Sequence, residues 1–516
     1  MALRAVAAGL EHWGMMGEIA GGFGTLFTLW PFLYLVGGFL LGLLFGAIPG
    51  LTATLAIALL LPFTFGMEVT NALVMVMGIY MSGIYAGSIT GITLNIPGAP
   101  SGAITSIDGH ALMKQGHGAQ ALSLDAFASS VGGMIGALVL MLLAEPIANL
   151  ALLLQTPDKF SLVLLAVVTV TVVSRGSIWK ATISMTLGLM ISTVGIDPMV
   201  PKGRFDFGSY HLVEGIGLLP AVIGLFAICE LLVQAATPAR AAHGEAVADM
   251  PRLRHRDFVP NFSIIREIGA WLYVKSSVIG VLIGMLPGGG AAMASFIAYA
   301  EAKRTAKHPE KFGDGSHEGL AASEAANNAM CGGAIIPLLT LGIPGDAVTA
   351  VIFGVFLIHG LVPGPGLLTN SADVIAPMFA ALFVASIFVM VSLMVFGPFY
   401  LKLARINRGI LYAFIAMISM AGVYASSFSG FQMWMALAIG VFAFVLRRFD
   451  YPVVPMLMGV ILGSYLEEFL RRSLIVSKGD PLIFLTRPAS LIFLIAMLGF
   501  IWLLRLRPGV RKPVSD

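Results

Sequence analysis

From Thr25 to Gly46 the chain reads TLFTLWPFLYLVGGFLLGLLFG, with no charged residue in it. That length matches the roughly 20 apolar residues an α-helix needs to cross a bilayer. In hydrocarbon every backbone polar group must be satisfied internally, which favours helices and closed barrels and little else. The run is too long for a signal-peptide core and no small-residue cleavage site follows it, so it is expected to be a retained span. Similar runs recur almost to the C-terminus. Charged residues make up 11% of the chain, against about a quarter in soluble domains. The expected fold class is an all-α, multi-pass integral membrane protein of about 10–12 transmembrane helices with broken or re-entrant pieces between them.

The net charge of +3 is small and dispersed, which excludes a nucleic-acid partner. Cys229 and Cys331 both stand in apolar context, so neither a disulfide framework nor a zinc site is expected. Lys and Arg cluster in short loops and set the orientation. Arg175 with Lys180, Arg240 to Arg256, Lys402 with Arg405 and Arg408, Arg447 with Arg448, and the tail from Arg505 to Lys512 all face the cytoplasm if the spans alternate. EEFLRRSLIVSKGD (467–480) then lies outside despite its basic residues. The chain divides into an N-terminal amphipathic, polar segment (1–24), a first membrane half (25–234), a cytoplasmic linker (235–262), a second membrane half (263–446), and C-terminal helices with a basic tail (447–516).

GITLNIPGAPSG, from Gly91 to Gly102, places helix breakers where a membrane helix should be continuous. It has a relative: Leu94-Asn-Ile-Pro-Gly98 reappears as Leu341-Gly-Ile-Pro-Gly345, an offset of 341 − 94 = 247. Upstream lie GAIPGLTATLAIALLLPF from Gly46 and GMLPGGGAAMASFIAYAE from Gly284, an offset of 284 − 46 = 238. Each half thus carries a G-x-x-P-G break followed by an L-x-I-P-G break, and the shared order points to duplication. Matched, interrupted apolar segments are the best sequence pointer to a secondary transporter's binding site. Irregular backbone at membrane depth lines a cavity or is buried in protein, and a half-helix N-terminus offers N–H groups and a positive dipole end to an anion. Prolines and glycines that merely kink helices or allow close packing are the competing reading.

GAIPGLTATLAIALLLP, GITLNIPGAPSGAITSIDGHALMKQGHGAQAL and SEAANNAMCGGAIIPLLTLGIPGDAVTAVIFGVFLIHGLVPGPGLL resemble the large permease subunit of the tripartite tricarboxylate transporters, the TctA family. GLMISTVGIDPMVPKGRFDFGSYHLVEGIGLLPAVIGLFAICELL and DYPVVPMLMGVILGSYLEEFLRRSLIVSKGD extend the likeness, in order, from about residue 25 to about residue 500. The resemblance implies a secondary-active importer of the bacterial inner membrane, not an enzyme. It works with a small membrane subunit of about four spans (TctB-like) and a periplasmic solute-binding protein (TctC-like). Its substrates are carboxylates such as citrate and other di- or tricarboxylates, and symport with Na⁺ or H⁺ drives uptake without another cofactor. Two inverted repeats would each give a hairpin-bearing transport portion that slides, elevator-like, against a scaffold.

Arg, the usual carboxylate partner, is absent from the repeat motifs, and the first lysines are Lys114 and Lys303 at their polar ends. Backbone N–H groups are therefore expected to meet the substrate. The substrate-binding candidates are Asn95, Pro97, Gly98 and Ser101, with Thr105 a turn beyond, and Gly288, Gly289, Thr340, Pro344 and Gly345. The ion-coupling candidates are Thr52, Asn327, Asn328 and Asp346. Hydroxyls bonded to their own helices are the plain alternative, as are packing amides for the asparagines and a helix cap for Asp346. Asp108 is expected to be a structural cap, Glu214 and Glu230 to be interfacial, and Glu324 to share the helix face of Asn327. His110, His117 and His317 lack metal-ligand company. The rival functions are a passive carboxylate channel, a scaffold subunit, and an intramembrane hydrolase built on Ser101 and His110. Nine residues along a helix put those last two on opposite sides.

Overall fold

The computed structural model describes residues 17–48, 50–174, 176–197, 199–236, 255–403 and 408–505. Pro49, Arg175, Arg240, Arg252, Arg254, Arg405, the N-terminal sixteen residues and the tail beyond Arg505 lie outside the described residues, with the expectations attached to them.

Helix dominates. The first half runs through α1 (Leu29–Gly46), α2 (Ala53–Thr64), α3 (Val69–Leu94), α4 (Gly102–Lys114) and α5 (Gly118–Leu152). Next come α6 (Thr156–Val173), α7 (Ile178–Ser192) and a two-residue antiparallel pairing of β1 (Gly195–Ile196) with β2 (Gly203–Arg204). Among the described residues that pairing is the only sheet. The helical segment α8 (Leu218–Ala236) loosens to a π-helical stretch at Ile223–Ile228. Then follow α9 (Phe262–Ile268), α10 (Ala270–Gly284), α11 (Gly290–Thr305), α12 (His317–Leu341), α13 (Ala347–Ile358) and α14 (Ala372–Leu403). The chain closes with α15 (Arg408–Ser427), α16 (Gly430–Arg448), α17 (Val453–Val476) and α18 (Pro488–Arg505).

Among the described residues eight helices are long and apolar enough to cross a membrane, or nine if α9 and α10 form one span bent by 70°. Gly269, at φ 81°, makes that bend. The other apolar helices, α2, α7 and α13 among them, are shorter, as broken pieces should be. α12 is not among the eight, although nearly all its residues are buried: its acid and two asparagines dilute its apolarity.

The helices form two compact units, Met1–Ala151 with Leu219–Phe444, and Leu152–Leu218 with Val445–Asp516. In the first, α1 crosses α3 at backbone contact: a Cβ on Gly38 would lie 2.1 Å from the Met75 carbonyl oxygen, and one on Gly42 2.4 Å from that of Ile79. α10 crosses α12 the same way: a Cβ on Gly280 would lie 2.3 Å from the Ala326 carbonyl oxygen, and one on Gly284 2.5 Å from that of Met330. Small residues are what allow membrane helices to approach this closely.

In the second unit, α6 begins with a capping box of Gln155 and Asp158, and the Arg487 guanidinium forks onto both Asp158 oxygens at 2.9 and 2.7 Å. Glu467 and Arg471 from the 467–480 segment join Asp197 and Arg204 in one network: Arg471 reaches Asp197 at 2.6 Å and Glu467 at 2.9 Å, and Arg204 reaches Glu467 at 2.6 Å. Arg471, bonded to Asp197, holds that carboxyl down to about 2. Its folded value lies below the unfolded one of about 3.9. The stabilisation is therefore complete above about pH 4 and is lost as pH falls toward 2. Arg471→Ala should move acid unfolding of this unit to higher pH, read as a loss of melting temperature near pH 4 that shrinks toward pH 2.

Candidate functional site

α3 and α12 are covered along almost their whole lengths, and both stop on a left-handed residue, Asn95 at φ 56° and Gly342 at φ 70°. That conformation releases the chain from the helix; Pro97 and Pro344 then prevent its resumption. In each half the I-P-G break comes to rest against the helix end at the start of its G-x-x-P-G partner. A Cβ on Gly98 would lie 2.6 Å from the Gly46 carbonyl oxygen, and one on Gly345 2.5 Å from that of Gly284. Gly288 N–H donates to the Gly345 carbonyl at 2.8 Å, and Gly98 N–H to that of Gly87 at 3.1 Å. The half-helices α2 and α13, one from each half, pack on one another. The second break, Gly342 to Asp346, is buried throughout, whereas Asn95 and Pro97 of the first are exposed.

The candidate residues divide by what their side chains already hold. Thr52 caps α2, accepting from Leu55 N–H at 3.2 Å. Thr340 donates back to the Ile336 carbonyl at 2.8 Å, the self-bonded alternative for a helix hydroxyl. Gly289 N–H donates to Leu286 at 2.9 Å and opens α11. Ser101 is buried with its hydroxyl unpartnered. Asp346 caps α13 through a reciprocal pair with Thr349: its Oδ1 accepts from the Thr349 N–H at 2.8 Å and hydroxyl at 2.6 Å, and its own N–H donates to the Thr349 hydroxyl at 2.9 Å. Tyr80 of α3 donates to the other oxygen at 3.3 Å. Asparagine caps as well as aspartate, so Asp346→Asn should melt within about 1 kcal/mol of wild type while Asp346→Ala loses about 1–2 kcal/mol. Thermal unfolding in detergent measures both.

Deeper in the same unit is a buried polar layer. Glu324 of α12, 0% exposed, accepts from Ser88 of α3 at 2.7 Å, from Ser129 of α5 at 2.9 Å, from Asn327 at 3.2 Å and from Thr105 of α4. Asp125 of α5, also 0% exposed, stands one turn before Ser129, on the face of α5 that meets Glu324. Asn328 donates to the Met81 carbonyl at 3.3 Å. The Oδ1 atoms of Asn327 and Asn328 have no donor. No cluster of three or more metal-ligating side chains occurs among the described residues. Cys229 and Cys331 are buried and are not joined in a disulfide.

Asp108 is structural in a way its sequence position did not suggest. It sits inside α4 and its Oδ1 accepts from Gly313, Gly315 and Ser316 N–H at 2.8–3.0 Å, pinning the turn that opens α12. His110 and His317 are half-buried and His117 is exposed. Sequence reasoning passed over Asp125, Ser88, Ser129 and Tyr80. The signal for Asp125 was available: a solitary acid in the small-residue run ALSLDAFASSVGG is costly at membrane depth and rarely idle.

The family described as "Tripartite tricarboxylate transporter TctA family" matches residues 32–458. The chain is 33% identical over 498 residues, 96% of its length and 97% of the relative's, to an Agrobacterium vitis protein described as an uncharacterized 52.8 kDa protein in the TAR-I ttuC' 3' region. It is 35% identical over 234 residues to a second from that organism, described as an uncharacterized protein in the TAR-II ttuC' 3' region. That match covers 45% of this chain and 96% of the relative. No solved structure matches it.

Proposed function

The chain belongs to the tripartite tricarboxylate transporter TctA family, and from that premise we propose that it is the large permease subunit of a secondary-active carboxylate importer. The family is one of transporters, and the chain is a multi-pass helical membrane protein. In this reading it resides in a bacterial inner membrane, receives a di- or tricarboxylate from a periplasmic binding protein, works beside a small membrane subunit, and is driven by Na⁺ or H⁺.

The observation that carries the proposal is the matched pair of breaks. Two chain segments 247 residues apart (341 − 94) end their helices alike, and each lays its I-P-G glycine on the equivalent upstream glycine. The parallel supports an internal duplication. A scaffold needs no such interruptions, and a channel does not require them in duplicate. The half-helix N-termini that follow the breaks, with the unpartnered Ser101 hydroxyl, are suited to an anion where no arginine stands. Opening and closing would come from the hairpin portions sliding against the rest, as in elevator-type carriers.

Proteoliposomes holding the large and small subunits, with binding protein outside, test this. Labelled carboxylate should accumulate above equilibrium only when a Na⁺ or H⁺ gradient is imposed. Equilibration without accumulation would indicate a channel, and no uptake under either gradient would reject the transport reading.

A further inference from the structure

Glu324 and Asp125 are two carboxyl groups side by side with no cation between them. Among the described residues no lysine, arginine or histidine pairs with either. Several titratable groups of the surrounding helices have contacts elsewhere. Asp108 of α4 holds the 313–316 turn, and His110 sits 3.0 Å from the Ile92 carbonyl. Lys275 of α10 pairs with Glu301 of α11, and Tyr299 of α11 is directed to Asp108. Asp346 is bound by Thr349 and Tyr80, and Tyr273 stands edge-on to Phe127.

The donors are divided unequally. Four of them, the hydroxyls of Ser88, Thr105 and Ser129 and the amide of Asn327, all converge on Glu324. Neither oxygen of Asp125 has a donor from any of its neighbours, although the residue is wholly buried and its carboxyl faces Glu324. A carboxylate supplied with several donors is stabilised in its charged form. With the layer closed as here, a second carboxylate beside it, wholly buried and without donors, is disfavoured as a second charge, so one of the two keeps a proton. The missing hydrogen belongs on Asp125, whose O–H then donates to Glu324 and completes the pair. Serine hydroxyl oxygens at 2.7 and 2.9 Å from Glu324 are at hydrogen-bond separation.

We propose that Asp125 and Glu324 form the proton-binding pair of this carrier, with Asp125 as the group that is loaded and unloaded and Glu324 as its hydrogen-bond partner. Loading transfers one proton from water to the Asp125 carboxylate, taking the pair from two negative charges to one; unloading returns it. The inference rests on the transport reading and selects H⁺ over Na⁺ as the coupling ion. Its four donors come from α3, α4, α5 and α12, so a change in how these helices meet would change the stability of the charged pair.

Two measurements on the full chain decide it. In sodium-free proteoliposomes, an inside-alkaline gradient of about one pH unit sustains up to about tenfold accumulation per proton moved. Wild type should accumulate under that gradient and Asp125→Asn should only equilibrate. Accumulation by wild type that requires Na⁺ and ignores pH overturns the proton pair while leaving carboxylate transport standing. Asp125→Asn that still follows the pH gradient overturns it too. Difference infrared spectra of the purified protein supply a readout independent of transport: a protonated carboxyl C=O stretch at neutral pH, lost in Asp125→Asn. A band unchanged by the substitution overturns the assignment even if uptake behaves as expected. Should Asp125→Asn not fold, Asp125→Ser takes its place in both measurements. If neither gradient moves any carboxylate, the transport reading fails and with it the coupling role, and the infrared band then reports only where the proton resides.

Discussion

Gly98→Ala and Gly345→Ala are each expected to abolish carboxylate uptake. The added methyl has nowhere to go. At position 98 it would meet the Gly46 carbonyl oxygen at 2.6 Å and the Thr90 hydroxyl at 3.0 Å; at 345, the Gly284 carbonyl at 2.5 Å and Ala334 Cα at 2.7 Å. These neighbours are chiefly backbone, so no rotamer change relieves the clash, and overpacking of this kind costs about 1–3 kcal/mol. The break must then separate from its partner glycine, which moves the backbone proposed to hold the anion. Gly66→Ala is the control. It lies in the exposed loop between α2 and α3, a Cβ there would find nothing within 4 Å, and its uptake should match wild type. The readouts are uptake in proteoliposomes together with membrane insertion and melting temperature. Wild-type uptake by Gly345→Ala would remove the close approach from the mechanism.

The two breaks were legible because they are local. A Gly or Asn that ends an apolar run and is followed two residues later by Pro announces a helix stop on chain chemistry alone, and Asn95 and Gly342 both stop their helices as left-handed residues. The cap at Asp346 was legible for the same reason, since an acid at a helix start is favoured wherever the helix lies. What the sequence could not show was which polar groups meet. Ser88 and Glu324 are 236 residues apart and Ser129 and Glu324 are 195, and their meeting depends on glycine-lined crossings whose register is fixed only by packing. Asn327 attracted attention as an amide, yet its neighbour three residues earlier is the centre of the layer. The number of spans was blurred for a related cause. α12 carries this polar layer and α2 and α13 are half-length, so none of the three has the uniform apolar surface of a lipid-facing helix.

Glu324→Ala should be the most destabilising single truncation in the polar layer. It removes the acceptor for Ser88, Thr105, Ser129 and Asn327 at once, in a place without water. An unsatisfied buried donor costs about 1–3 kcal/mol, but the three hydroxyls can turn to carbonyls of their own helices. The amide of Asn327 and the O–H assigned to Asp125 lack that escape, so two unsatisfied buried donors and the cavity left by the side chain give a total loss of about 3–5 kcal/mol. Glu324→Gln keeps the shape and one acceptor oxygen, and its amide lets a serine hydroxyl reverse direction, so about 1–2 kcal/mol is expected. The decisive comparison is a double-mutant cycle. If the two carboxyls are bonded, Asp125→Ala costs less in the Glu324→Ala background than in wild type, because the bond it removes is already gone. A coupling of about 0.5–3 kcal/mol is the signature of groups in contact, and strictly additive losses would mean that Asp125 and Glu324 do not share a bond.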